Sequence, residues 1–281
     1  MAATNAVRPI ALVVSDVDGT LLDPDKQLTP GAPAAVRQLK QGGIRFTIVS
    51  ARPPRLTKPL LRDLHISEPS ACFNGALMIT PDGGILQQLP MRRADAQAVA
   101  DHICRQHLDL WVYSDTDWLV SDPAGPHVQH QEELMRRKAT PLHTYDMSQF
   151  RVLKLVGVSD DYDLLQSAQS EFIRLSGVSI SATRSSEYYL DVTHSGANKG
   201  AVVLKLSKML NIPSRQIATI GDMNTDVLMF RKSGLSIAMG NATGDVKAQA
   251  TYITRSNLED GFAYAMDQFI LKGAEEEIAA D

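Results

Sequence analysis

Residues 10–20 read IALVVSDVDGT: five apolar residues, a serine, and then Asp16-Val17-Asp18-Gly19-Thr20. A short apolar run without polar alternation predicts a strand buried on both faces, as in parallel sheets. Two carboxylates spaced i, i+2 just past such a strand form an anionic head where a parallel sheet places its ligand site. That pair suits an aspartate nucleophile beside an aspartate acid/base, with a divalent cation holding them. The same composition also suits an ordinary polar turn, so the meaning of the pentapeptide depends on its partners elsewhere in the chain.

Outward from this stretch, Thr29-Pro30 supplies an N-cap and first-turn proline for a helix reaching about Lys40, which Gly42-Gly43 stops. IRFTIV (44–49) predicts the next strand, Pro53-Pro54 opens a short helix, and SACF (70–73) predicts a third strand. Strand and helix in alternation specify a parallel, doubly wound α/β sheet. The rhythm then changes. Pro81-Asp82-Gly83-Gly84 reads as a hairpin turn, and helices at 94–107, 127–137 and 161–175 are interspersed with strands in 108–121, 151–158, 178–181 and 187–192. This is an α+β module of about a hundred residues. From Lys199 the α/β alternation returns, with strands QIATI, LSIAM and YIT. The expected organisation is a core of residues 1–82 and 190–281 interrupted by an inserted α+β domain, residues 83–189. The acidic, alanine-rich tail after Gly273 reads as frayed or solvated.

With 281 residues, either one large or two moderate domains can each bury a real core. A hydrophobic fraction of 44% with 21% charged residues is that of a globular protein, and no apolar stretch is long enough to span a bilayer. A net charge of −4 without basic blocks argues against nucleic acid as a partner. Cys72 and Cys104 are too few for a disulfide scaffold and too far apart for a zinc knuckle, and the N-terminus lacks a secretory apolar region. A cytoplasmic location is the expectation.

Ligands of an open parallel sheet bind beyond the carboxyl ends of its strands. Four polar segments stand there: DVDGT, Ser50-Ala51-Arg52, Asn74-Gly75, and Gly221-Asp222-Met223-Asn224-Thr225-Asp226. Two carboxylates about 4 Å apart repel by about 4 kcal/mol at an effective dielectric near 20, so convergence of Asp16, Asp18, Asp222 and Asp226 calls for a cation. Oxygen ligands without histidine or cysteine favour a hard ion, Mg²⁺. Taken singly, each residue has an ordinary alternative. Lys199 opens a helix and would usually be solvated; Asp222 and Asp226 fit an N-cap and a helix face; Ser50 fits a helix cap; Asn74 fits a turn.

These motifs in this order resemble the haloacid dehalogenase (HAD) superfamily, specifically Cof-type phosphatases with a large inserted cap of the C2 type. Asp16 to Thr20 match its DxDGT signature, Ser50 its Ser/Thr after the second strand, Lys199 in Asn198-Lys199-Gly200 its lysine, and Gly221 to Asp226 its GDxxND signature. The stretches FNGA (73–76) and IAMGNA (237–242) also resemble that family. The resemblance implies a Rossmann-like HAD core and a phosphatase acting on a small phosphomonoester, with a sugar phosphate among the candidates. It further implies Asp16 as nucleophile, Asp18 as acid/base, Ser50 and Lys199 as phosphoryl and charge stabilisers, and Mg²⁺ held by Asp16, the Asp18 carbonyl, Asp222 and Asp226. Substrate contacts would fall to Ser50, Ala51, Asn74, Gly75 and Thr225.

Two positions depart from the family pattern. Ala51 stands where glycine is common, and Thr225 where GDxxND has Asn, with Asn224 one residue early. Both aspartates keep their spacing, so the metal site is expected to survive while the amide's role is open. A phosphomutase and a catalytically weak phospholigand-binding module are the rival readings. In the inserted module Trp111, Tyr113, Trp118, Arg184, Tyr188 and Tyr189 face either a ligand or the core, with core the commoner fate of aromatics on short strands. Substrate identity and oligomeric state are not readable from the sequence.

Overall fold

The computed structural model describes residues 9–175 and 179–272. The expected tail beyond Gly273, the N-terminal residues 1–8 and the start of the strand expected at 178 lie outside the described residues. Contacts divide the chain into two compact units, one drawn from Met1–Ser50, Leu60–Ser70 and Lys199–Asp281, the other from Ala51–Pro59 and Ala71–Asn198.

The first unit is a five-stranded, all-parallel sheet. Its strands lie in the order Tyr252–Ile253, Leu235–Ala238, Ile217–Gly221, Leu12–Ser15, Arg45–Ile48. Leu12, Val13, Val14 and Ser15 are all fully buried, as expected for a central strand covered on both faces. Leu12–Ser15 pairs with Arg45–Ile48 on one side and Ile217–Gly221 on the other. The chain leaves the central strand in one direction and returns on the other side, so the switch point of the topology falls between Leu12–Ser15 and Ile217–Gly221. The carboxyl ends of those two strands carry Asp16 and Asp222.

Among the described residues, the third strand departs from expectation. Ser70–Cys72 joins a three-stranded sheet with Leu77–Ile79 and Ile85–Gln88 rather than the parallel sheet. Ser70 meets the strand Arg45–Ile48 through side chains, its Oγ lying 2.9 Å from Thr47 Oγ1. The hairpin read at Pro81 to Gly84 is present: Leu77–Ile79 and Ile85–Gln88 are antiparallel, and Gly83 at φ +85° supplies the left-handed residue of the turn.

The second unit is built on a six-stranded sheet ordered Ile180–Arg184, Tyr189–His194, Lys154–Val158, Asp109–Tyr113, Trp118–Val120, Thr140–Pro141. The expected boundary at 189/190 falls inside the strand Tyr189–His194, which pairs along Lys154–Val158, so residues 190–198 stay with the inserted sheet. One sheet face, with Leu110, Val112, Leu119, Leu155, Leu190 and Val192, packs on the helices Arg93–Arg105 and Tyr162–Leu175 through Val99, Ile103, Leu165 and Phe172. Strand alternation sends Trp111, Tyr113, Trp118, Lys154 and Asp191 to the opposite face. They are buried too: Trp111 and Trp118 meet edge to face at 5.2 Å, and Gln131 of the helix Val128–Met135 donates to the Tyr113 hydroxyl at 3.4 Å. Trp111, Tyr113 and Trp118 are therefore core. Arg184 caps the carbonyl of Glu187, and Tyr188 stacks on His127 with ring centroids 3.9 Å apart.

Lys154 crosses that second face. Its Nζ donates to Asp191 Oδ2 at 2.9 Å and to the Ala51 carbonyl at 3.2 Å, and lies 5.2 and 5.5 Å from the rings of Tyr113 and Phe73. Asp191 Oδ1 is buried and receives no donor among the described residues. Removing one partner of such a pair strands the other charge. Lys154→Met is accordingly expected to destabilise the second unit by about 3–5 kcal/mol, and Lys154→Met/Asp191→Leu to regain most of that. Denaturant unfolding followed by tryptophan fluorescence reads it directly, because both tryptophans of the chain, Trp111 and Trp118, lie in this unit. A double variant as unstable as the single one would contradict the expectation.

Among the described residues no helix is long and apolar enough to cross a membrane.

Candidate active site

Asp16, Lys199, Asp222 and Asp226 converge in the first unit. Asp16 follows the central strand and is 4% exposed, its backbone N–H held by the carbonyl of Ile220 at 2.9 Å. Asp222 follows Ile217–Gly221, and Asp226 lies in the first turn of the helix Asn224–Phe230. One carboxylate oxygen from each of Asp16, Asp222 and Asp226 lies within 4.8 Å of the others. Two glycines make this approach possible. A Cβ on Gly19, itself at φ +73°, would sit 2.3 Å from Asp222 Oδ2, and one on Gly221 would sit 2.3 Å from the Asp226 carboxyl carbon. Only glycine lets either backbone pass so close to a carboxylate.

Lys199 opens the helix Lys199–Leu210 yet is 3% exposed, so it is no solvated helix-start lysine. Its Nζ donates to Asp16 Oδ1 at 2.6 Å and to Asp226 Oδ1 at 2.5 Å. The other oxygen of Asp226 accepts the backbone N–H groups of Asp222 and Met223, each at 2.9 Å. Asp226 thereby serves both ordinary and special roles: it satisfies orphan donors at the helix N-terminus and fixes the lysine. Asp222 Oδ1, by contrast, is buried without a donor among the described residues.

The charges do not balance. Three carboxylates face one ammonium, and each carboxylate pair at about 4.8 Å repels by roughly 3.5 kcal/mol at an effective dielectric of 20. Burial, and then the neighbouring Asp226, push the Asp16 carboxyl well above the usual range. Burial followed by Asp226 likewise raises Asp222, to about 7. Burial pulls Lys199 down, but Asp16 and Asp226 outweigh it and hold the ammonium charged. A divalent cation beside Asp16 and Asp222 would remove the surplus negative charge and satisfy the orphaned oxygen. The donor set, all hard oxygen, fits Mg²⁺.

Asp18 lies outside the three-carboxylate group; its Oδ1 accepts from Lys26 Nζ at 2.9 Å, with both side chains more than a third exposed. Ser50 is buried two residues past the strand Arg45–Ile48. Thr225 is half-buried in the first turn of Asn224–Phe230, and Asn224 is exposed. Ala51, Asn74 and Gly75 belong to the second unit. There Phe73, Asn74 and Gly75 follow one another at φ +51°, +54° and +106°, and the buried Asn74 Oδ1 has no donor among the described residues. Sequence reasoning missed Lys26, whose contact with Asp18 depends on the turn at Asp23 to Gln27, and Asn241, which donates to the Gly19 carbonyl at 3.0 Å and Asp222 Oδ2 at 3.2 Å. The only signal for Asn241 was its place in IAMGNA.

A parallel sheet with acidic loops at its switch point, a buried lysine between two aspartates and an inserted second module define a class, and the haloacid dehalogenase-like hydrolase family model matches residues 13–266. The chain belongs to that family. It is 28% identical to the 5-amino-6-(5-phospho-D-ribitylamino)uracil phosphatase YwtE of Bacillus subtilis, over 92% of this chain and 97% of that protein. It is 24% identical to the pyridoxal phosphate phosphatase YbhA of Escherichia coli, over 90% and 96%. Among solved structures, a haloacid dehalogenase-like hydrolase from Bacteroides thetaiotaomicron superposes with a TM-score of 0.80 at 26% identity, covering 92% of this chain and 99% of that one. The chain is thus a haloacid dehalogenase-like hydrolase, and its named relatives support phosphatase activity.

Proposed function

We propose that the protein is a Mg²⁺-dependent phosphatase that hydrolyses a small phosphorylated metabolite through an aspartyl phosphate on Asp16. The observation that carries this reading is Lys199, buried and bonded to both Asp16 and Asp226, beside an Asp222 oxygen that has no donor. Asp16 and Asp222, with the Asp18 carbonyl, would hold the cation, while Asp226, whose oxygens already accept three donors, buttresses the site. When bound, the cation offsets carboxylate repulsion and withdraws charge from the phosphoryl oxygens.

In the first step an Asp16 oxygen attacks phosphorus, the P–O bond to the substrate alcohol breaks, and Asp18 gives that leaving oxygen its proton. In the second, water attacks the aspartyl phosphate, Asp18 takes the water's proton, and phosphate departs with Asp16 restored. Lys199 and the Ser50 hydroxyl stabilise charge on the transferring group. The inserted module is read as the part of the chain that selects the substrate. The near full-length likeness to phosphatases of a ribityl phosphate and of pyridoxal phosphate supports a small phosphorylated metabolite as the class.

Release of inorganic phosphate from a panel of phosphorylated metabolites, with and without Mg²⁺, tests this reading. Isomerised phosphate without free phosphate would instead establish a mutase.

Proton and cation compete for the same carboxylates, which gives a pH prediction. A carboxyl raised from 3.8 to about 7 on folding adds stability below pH 3.8, and that contribution is lost as pH rises through about 7. Mg²⁺ binds the ionised form and restores what is lost. At a hundredfold excess over its Kd it contributes about 2.7 kcal/mol, a melting shift of roughly 5–10 °C for a chain of this size. The shift is expected in full at pH 8 and largely absent at pH 5; equal shifts at both would contradict it.

A further inference from the structure

We propose that Asn241 is a positioning residue for the cation site, setting the affinity for Mg²⁺ by locking the Asp222 carboxylate to the DVDGT loop; the inference rests on the Mg²⁺ reading above. The backbone N–H of Asn257 donates to Asn241 Oδ1 at 3.1 Å, which fixes the amide's orientation and leaves its nitrogen as the group facing the site. That nitrogen has two acceptors, the Gly19 carbonyl at 3.0 Å and Asp222 Oδ2 at 3.2 Å. One side chain thus ties together the loops after the two strands that flank the topological switch. It does so at the point where Gly19 and Asp222 approach too closely for any side chain on Gly19.

The chemistry of an amide suits this place. Asp222 Oδ2 is anchored while Oδ1 stays without a donor, so one oxygen is oriented and the other left for a ligand. A lysine or arginine in the same position would compete with the cation by its charge; a neutral donor aligns the carboxylate and leaves its charge available. The support behind Asn241 is rigid. Met239 N–H donates to the Gly221 carbonyl and Gly240 N–H to the Arg255 carbonyl, each at 2.9 Å, and a Cβ on Gly240 would strike the Ser256 nitrogen at 2.5 Å. Asn257 itself is buried, and its Nδ2 donates to the Leu22 carbonyl at 2.9 Å, which completes a ring from Gly19 through Asn241 and Asn257 back to the same loop.

The two asparagines divide the work. Asn241 is exposed and touches the site through its side chain, whereas Asn257 holds Asn241 through its main chain and uses its side chain to satisfy a buried carbonyl. Calorimetric titration of MgCl₂ into the metal-free full chain, paired with metal-free thermal melts, separates them. Asn241→Ala is expected to weaken Mg²⁺ about tenfold, the low end of what losing an outer hydrogen bond to a metal ligand costs, with a metal-free melting temperature within about 2 °C of wild type. Asn257→Ala should show the reverse, a melting temperature lower by several degrees and a Mg²⁺ Kd within about twofold. If Asn241→Ala binds Mg²⁺ as wild type does, the positioning role is wrong while the cation site stands. If wild type itself binds no Mg²⁺, the cation reading is overturned and the inference with it.

Discussion

Asp16→Asn is expected to lower phosphatase turnover at least about 10³-fold while leaving the protein folded and no less stable in the absence of metal. An amide cannot attack phosphorus in place of the carboxylate, so the covalent step is lost rather than slowed. The stability half follows from the charge balance. Asp16 is buried beside Asp222 and Asp226, and burial together with Asp226 raises its carboxyl well above the ordinary range. A neutral isostere removes repulsion, and Lys199 keeps its bond to Asp226. Turnover of an aryl phosphate measured beside a melting curve checks both halves, and a rate near that of wild type would sink the covalent mechanism.

Lys199→Met is expected to act in both respects. It removes the ammonium bonded to Asp16 and Asp226 and leaves buried carboxylates uncompensated, a loss of about 3–5 kcal/mol at neutral pH. Because the cost comes from ionised carboxylates, it shrinks as pH falls and they take up protons. Saturating Mg²⁺ should recover part of the stability but not the rate, since the charge that Lys199 is proposed to place on the transferring group would not be replaced. Denaturant midpoints at pH 5 and pH 8 measure the first effect, and initial rates with Mg²⁺ the second. A midpoint unchanged at pH 8 would mean that the lysine does not compensate these carboxylates.

The parallel core was legible because its signals are local. IALVV has no polar alternation, and the acids of DVDGT and GDMNTD follow their strands directly, so position along the sequence is position at the sheet edge. Lys199 was ambiguous on sequence alone, since whether a lysine at a helix start is solvated or buried depends on Asp16 and Asp226, 183 and 27 residues away. Lys26 carried no signal of its own, and Asn241 none beyond its place in IAMGNA, for the same reason, as loop geometry makes their contacts. Ser70–Cys72 looked like any buried strand; its pairing with a hairpin is a choice of partner that composition does not encode. The aromatic strands of the inserted sheet alternate correctly, but alternation separates two faces without saying that both are covered, which is why Trp111 and Trp118 could be read either toward a ligand or toward the core.

Acid-quenched mass spectrometry of the enzyme during turnover of an aryl phosphate with Mg²⁺ tests the account most directly. A phosphoryl group is expected on the peptide that carries Asp16, localised to that side chain and missing from Asp16→Asn. Phosphate release at full rate with no phosphorylated enzyme at any quench time, or a phosphoryl group on another residue, would contradict it.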